Sequence, residues 1–118
     1  MKYVDGFVLC VPKKNLAAYR RMAAKGGKIW REYGALDFKE CVGDDIASSW
    51  GGMPFIKLAK PRRGETVMFS WIVYKSKGQR DKIVAKVMKD PRLMPDAKSM
   101  PFDVKRMAWG GFKVLVES

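Results

Sequence analysis

Apolar and polar positions change period several times along the chain, and each change marks an element. Residues 3–11 read Tyr-Val-Asp-Gly-Phe-Val-Leu-Cys-Val and stop at Pro12. Odd positions carry Tyr3, Asp5, Phe7, Leu9 and Val11, and even positions carry Val4, Gly6, Val8 and Cys10, so both sides of this strand are largely apolar. A strand of that kind belongs at the centre of a sheet. From residue 15 to 33 the spacing becomes helical, with Leu16, Tyr19, Ala23, Trp30 and Tyr33 recurring and Arg20, Arg21, Lys25, Lys28 and Arg31 falling mostly elsewhere. Gly26 and Gly27 weaken this helix by about 1 kcal/mol each relative to Ala, which fits either a close backbone approach, a bend, or plain tolerance.

Residues 36–42 alternate again, Leu36, Phe38, Glu40 and Val42 against Asp37, Lys39 and Cys41, as a half-exposed edge strand does. Residues 43–65 hold too many turn formers for a regular element, and a loop with one short element over 55–59 is expected. Residues 66–74 are uncharged and apolar on both sides, a second central strand. Ser76 and Gln79 have the spacing of a capping box opening a second helix, whose Ile83, Val84, Val87 and Met88 make one apolar face before Pro91. A connection containing Pro91, Pro95 and Pro101 leads to a last strand over 106–117, where Gly110-Gly111 predicts a bulge or a close crossing.

The predicted order is βαββαβ, the α+β ferredoxin-like arrangement: a four-stranded antiparallel sheet with two helices on one face. Residues 1–118 are expected to form a single domain. Two helices cover one face only, so the apolar second face predicts a homodimer through the sheet face.

Composition narrows the chemistry. There is no histidine, and Cys10 and Cys41 form no CxxC pair, which removes the commonest general base and the usual zinc and redox motifs. No metal and no cofactor is expected, since no glycine pair matches a phosphate-binding pattern and Asp44-Asp45 is an ordinary solvated turn. The short apolar run after Lys2 is interrupted by Asp5 and no stretch has bilayer length, so a cytoplasmic protein with no membrane partner is expected, its cysteines buried thiols.

The net charge of +12 raises nucleic acid as a partner. RNA-recognition domains share this element order but carry basic, glycine-rich and aromatic residues on the third strand, where this chain has neither charge nor glycine. The basic residues sit instead in predicted helices and loops, a solvated shell capable of weak, non-specific nucleic-acid binding.

Tyr3-Val-Asp-Gly-Phe-Val-Leu9, Phe69-Ser-Trp-Ile-Val-Tyr74, Lys86-Val-Met-Lys-Asp-Pro-Arg92 and Met100-Pro-Phe-Asp-Val-Lys-Arg-Met107 with Gly110-Gly-Phe112 resemble the YbaA-like family of uncharacterised bacterial proteins. The resemblance spans nearly the whole chain and departs at Ser48-Ser-Trp-Gly-Gly-Met53. It implies the dimeric α/β-barrel superfamily, in which two ferredoxin-like subunits pack their sheets together, and whose members include small monooxygenases and isomerases.

Asp5 is the most telling single residue, because an ionised carboxylate among core positions needs a partner or a raised pKa. Its readings are a structural salt bridge, with Arg106 as the expected partner, or a backbone hydrogen bond fixing the strand end, or else a pocket acid or base. Trp30, Tyr33, Trp71, Tyr74 and Trp109 could line a small-molecule pocket beside it or serve as plain core. The leading expectation is a homodimeric barrel protein with a small-molecule ligand. A cofactor-independent monooxygenase or isomerase and an RNA- or DNA-associated protein using its basic helices are the alternatives.

Overall fold

The computed structural model describes residues 1–48, 50–93 and 100–118. Ser49 of the long loop and Pro95 of the proline-containing connection lie outside the described residues. The first strand, β1 (Tyr3–Pro12), pairs antiparallel on both sides, with β3 (Glu65–Tyr74) and with β4 (Ala108–Lys113). Its two-sided apolar pattern therefore reports a central position, as expected. The strand β2 (Asp37–Val42) pairs with β3 and takes an edge, giving the order β2-β3-β1-β4.

That order is ferredoxin-like, but it corrects the expectation of a barrel. A closed sheet gives every strand two neighbours, whereas β2 and β4 are the two ends of this one and do not pair with each other. The sheet is open.

Helix α1 (Leu16–Glu32) runs through Gly26-Gly27 without interruption. The two glycines differ: a Cβ on Gly27 would lie 2.7 Å from the Phe38 ring, while one on Gly26 would meet nothing within 4 Å. Gly27 is thus the point where α1 approaches β2, and Gly26 is merely tolerated. Past the long loop, whose short helix α2 spans Phe55–Ala59, helix α3 (Lys77–Val87) opens as predicted. The Ser76 hydroxyl accepts the Gln79 backbone N–H at 3.1 Å.

Both long helices pack on the β1 face that carries the odd positions. Leu9, Val11, Tyr19, Ala23 and Met68 form one buried cluster and Ala35, Ile72, Tyr74, Ile83 and Val87 a second, with Phe7 packed against both. Residues 100–107 fold back over α1, where Phe102 meets Tyr19 edge-on at 5.6 Å and the Asn15 amide donates to the Pro101 carbonyl at 3.1 Å.

On the opposite face, α2 covers one end. Phe55 meets Phe69 edge-on at 5.9 Å, and the Cys10 thiol reaches the Ala59 carbonyl at 3.5 Å. Cys10 is buried there, while Cys41 is only half-buried; both are free. The rest of this face stays open, with Val4, Val8, Trp71 and Val73 half-buried and Phe69 and Phe112 exposed.

The last strand starts later than predicted, because residues 104–106 form a 3-10 turn before it, and it ends at Lys113. Its register runs through Gly110 and Gly111 without a bulge. The close crossing is real at Gly111, where a Cβ would collide with the Tyr3 hydroxyl and come within 2.7 Å of the Arg80 guanidinium.

Candidate functional site

Asp5 stands on β1 between Ile72 of β3 and Gly111 of β4, on the helix-covered face, and is 3% exposed. Its charged neighbour is Arg80, from the first turn of α3, not Arg106. Arg80 Nε lies 3.5 Å from Asp5 Oδ1. The same guanidinium donates through Nη2 to the Tyr3 hydroxyl at 3.1 Å and sits 4.9 Å from the centre of the Tyr3 ring. Glycine at position 111 leaves the space that Tyr3 and Arg80 fill.

Tyr74 completes the group. It is fully buried, and its hydroxyl accepts the Trp30 indole N–H at 3.0 Å beside the Asp5 carboxyl. Burial pushes the Asp5 carboxyl above the usual aspartate range, against the opposing pull of Arg80 and the Tyr74 hydroxyl. Burial, and then the nearby Asp5 charge, pushes the Tyr74 hydroxyl far above the usual phenol range. Yet Asp5 Oδ1 and Arg80 Nε, facing each other, have no well-aligned hydrogen bond among the described residues. Buried polar atoms are nearly always paired, so the cluster holds unused capacity at its centre.

Three of the expected pocket residues therefore meet: Asp5, Trp30 and Tyr74. The others are dispersed. Arg106 grips Glu65 at 2.7 and 3.0 Å, because β4 begins only at Ala108, opposite Val8, and the preceding turn lies beyond it at the far end of β1 from Asp5. Trp71 pairs with Gly6 and points to the open face. Trp109 stacks on Phe7 with ring centres 6.3 Å apart and is 59% exposed at the β4 edge.

Tyr33 is drawn away to a separate lock. Its hydroxyl donates to Asp90 at 2.7 Å, and Arg92 grips the same carboxylate at 2.7 Å while reaching Glu32 at 3.0 Å. Arg92, together with Tyr33, holds the Asp90 carboxyl well below the usual range. This network joins the ends of α1 and α3; its signal in the sequence is the Asp90-Pro91-Arg92 run closing the helix.

Arg80 and Tyr3 are the site residues that sequence reasoning missed. Of the thirteen basic residues assigned to the outer shell (Lys13, Lys14, Arg20, Arg21, Lys25, Lys28, Lys60, Arg62, Arg63, Arg80, Lys82, Lys86, Lys89), Arg80 alone is drawn inward and the rest are exposed. The described residues contain no group of three or more His, Cys, Asp or Glu placed to hold a metal ion. No described helix is long and apolar enough to cross a membrane.

Two hollows lie outside the cluster. One, of about 260 Å³, is apolar and sits between α2, the loop before it and the open face near Phe69 and Val67. The other is a groove of about 620 Å³ between α1 and β2.

Comparison with known proteins agrees with the fold and the family. The solved structure of Rv0793 from Mycobacterium tuberculosis superposes with a TM-score of 0.58 at 13% identity, over 100% of this chain and 99% of that one. SnoaB, a cofactor-independent oxygenase from Streptomyces nogalater, superposes with a TM-score of 0.55 at 13% identity, over 98% of this chain and 95% of that one. At such identities the likeness speaks for the fold alone. The family model described as "Protein of unknown function (DUF1428)" matches residues 2–104. The proteins named "Uncharacterized protein YbaA" in Escherichia coli (strain K12) and in Shigella flexneri are 46% identical over 118 residues, covering 99% of this chain and 99% of each relative. The chain belongs to this YbaA-like family, and its ferredoxin-like sheet is open rather than closed into a barrel.

Proposed function

We propose that the chain is a small cofactor-independent oxygenase or isomerase whose first step is proton abstraction by Asp5. The observation that carries this reading is the buried Asp5 Oδ1 facing Arg80 Nε at 3.5 Å, both without a hydrogen-bond partner among the described residues, beside the Tyr74 hydroxyl. A carboxylate held above its usual pKa is a stronger base than a solvated one and better matched to neutral pH. The adjacent guanidinium stabilises an enolate or phenolate where it develops, and Tyr74 and Trp30 supply an aromatic wall.

Proton transfer is the step the two activities share. In an isomerase the proton returns to a different carbon; in an oxygenase the carbanion reacts directly with dioxygen. The fold likeness to a cofactor-independent oxygenase supports the second branch by analogy. The cluster lines neither hollow, and the way from solvent to Asp5 runs past Arg80, whose side chain is 17% exposed against 4% for Asp5 and which stays beside the reacting group.

Anthrone tests both branches, since its acidic methylene either exchanges protons or is oxidised to the quinone. Deuterium incorporation or anthraquinone formation well above the buffer rate, falling about a hundredfold or more in Asp5→Asn, is expected for loss of a general base. A wild-type rate equal to buffer, or an unchanged rate in Asp5→Asn, contradicts the proposal.

The apolar open face supports a second element, a second copy lying against it while each sheet stays open. Light scattering at micromolar concentration should then give twice the chain mass, and a stable monomer would rule it out. The two free thiols favour a cytoplasmic setting.

A further inference from the structure

The groove between α1 and β2 shares no lining residue with the Asp5 cluster and carries its own chemistry. Its walls run from Ala23 to Arg31 along the helix and from Leu36 to Glu40 along the strand. The eight helical steps from Ala23 to Arg31, at 1.5 Å each, make it a trough about 12 Å long. The floor is apolar, formed by Ala23, Ala24 and the Phe38 ring that closes against Gly27.

The two ends differ. At one, Arg31 and Leu36 meet, with one guanidinium nitrogen held on the Leu36 carbonyl, and Lys28 stands a turn earlier on the same helix. Asp37, the carboxylate nearest to them in the lining, is neutralised by its ion pair with Lys39. The cationic end therefore has charge to spare. At the other end is Glu40, half-buried, whose carboxyl accepts the buried Tyr19 hydroxyl at 2.8 Å on the face that also carries buried Ser70. Burial pushes this carboxyl above the usual glutamate range against the opposing pull of the Tyr19 and Ser70 hydroxyls.

We propose that this groove binds a flat aromatic acid, its anionic group on Lys28 and Arg31, its rings on the apolar floor, and a polar tip on Glu40. The groove, about 620 Å³ and open along one side, is large enough for two fused rings to lie along it. The separation of the charged end from the carboxyl end matches two fused rings bearing an acid at one side and a hydroxyl at the other. The class follows from the walls: an apolar slot alone would take any hydrocarbon, but two cations at one end select an anion, and a hydrogen-bonding carboxyl at the far end selects a hydroxyl.

The probe is 6-hydroxy-2-naphthoate, followed by its own fluorescence and by backbone amide shifts. Saturable binding that shifts the amides of Gly26, Gly27 and Lys39 is expected. Affinity should fall about tenfold or more in the Lys28→Ala, Arg31→Ala double variant and severalfold for 2-naphthoate, which lacks the hydroxyl. Ala24 is exposed, so Ala24→Trp should fold normally and block binding by filling the slot. Shifts confined to the open face around Val8 and Trp71, affinity unchanged in both variants, or no binding at millimolar probe would each overturn the assignment.

Discussion

Arg80 Nε and Asp5 Oδ1 lie 3.5 Å apart inside the helix-covered face, and neither has a hydrogen-bond partner among the described residues. An ion pair serving stability alone is expected to spend its donors and acceptors, because desolvation of both charges is otherwise poorly offset. Arg106 and Glu65 provide the contrast within the same molecule, with two aligned hydrogen bonds at 2.7 and 3.0 Å.

That contrast gives a pH test. Arg106, through its hydrogen bonds, holds the Glu65 carboxyl below the usual range. A depressed carboxyl contributes stability that is present above its unfolded value, about 4.3, and is lost as pH falls through the lower folded value. Urea unfolding of Arg106→Met against wild type should show a stability gap near pH 7 that narrows below pH 4. A gap independent of pH would remove the ion pair as its cause.

Gly26 and Gly27 should respond oppositely to alanine. Gly26→Ala meets nothing within 4 Å and should stabilise by about 0.5–1 kcal/mol through helix propensity. Gly27→Ala gains the same propensity but drives a Cβ into the Phe38 ring at 2.7 Å, so a net loss of about 1–2 kcal/mol is expected from overpacking. Thermal melts that move both variants in the same direction would contradict the close approach of α1 to β2.

Gly111→Ala should be costly for a different reason. The new methyl group meets the Tyr3 hydroxyl and the Arg80 guanidinium together, and displacing Arg80 leaves Asp5 without its cation. A loss of about 1–3 kcal/mol is expected, together with a loss of the Asp5-dependent rate. Gly110→Ala has only Phe112 near its Cβ, at 3.6 Å, and serves as the control that keeps both.

Tyr74→Phe removes the acceptor of the Trp30 indole N–H and a hydroxyl that pulls the Asp5 pKa down. Stability should fall by about 1–3 kcal/mol as the indole loses its partner. The Asp5 pKa should rise further, because Tyr74 is one of the groups pulling it down. A lower Asp5 pKa in this variant would mean that the hydroxyl does not act on the carboxyl.

Much of the fold was legible because local signals agreed with the tertiary arrangement. Apolar residues on both sides of β1 and β3 placed those strands at the centre, and Ser76 with Gln79 marked the start of α3. The site was legible only in part. Asp5 stood out as a carboxylate among core positions, but its partner did not. In the sequence Arg80 is one cation among several on a basic helix, and only the docking of α3 over Gly111 and Tyr3 sets it apart from Lys82 and Lys86. Pairing by strand adjacency pointed to Arg106 instead, and failed because the register carries Arg106 past the end of the β1–β4 ladder. The aromatics divided in the same way: β3 parity sends Trp71 and Tyr74 to opposite faces, a distinction that composition cannot make. The barrel expectation failed at the edges, since apolar strand faces say what a sheet buries and not whether its outer strands meet.

A carbon-detected NMR titration of the Asp5 side chain, in wild type and in Arg80→Met, reads the coupling of this carboxyl to its guanidinium. The raised folded pKa means that Asp5 favours the folded state most below the unfolded aspartate value, about 3.9, and that this contribution is lost as pH rises through the folded value. The expected result is a midpoint above 3.9 in the wild type and a higher one in Arg80→Met, where the cation no longer pulls it down. A wild-type midpoint at or below 3.9, or one that Arg80→Met leaves unchanged, would contradict Asp5 as a base set beside a working guanidinium.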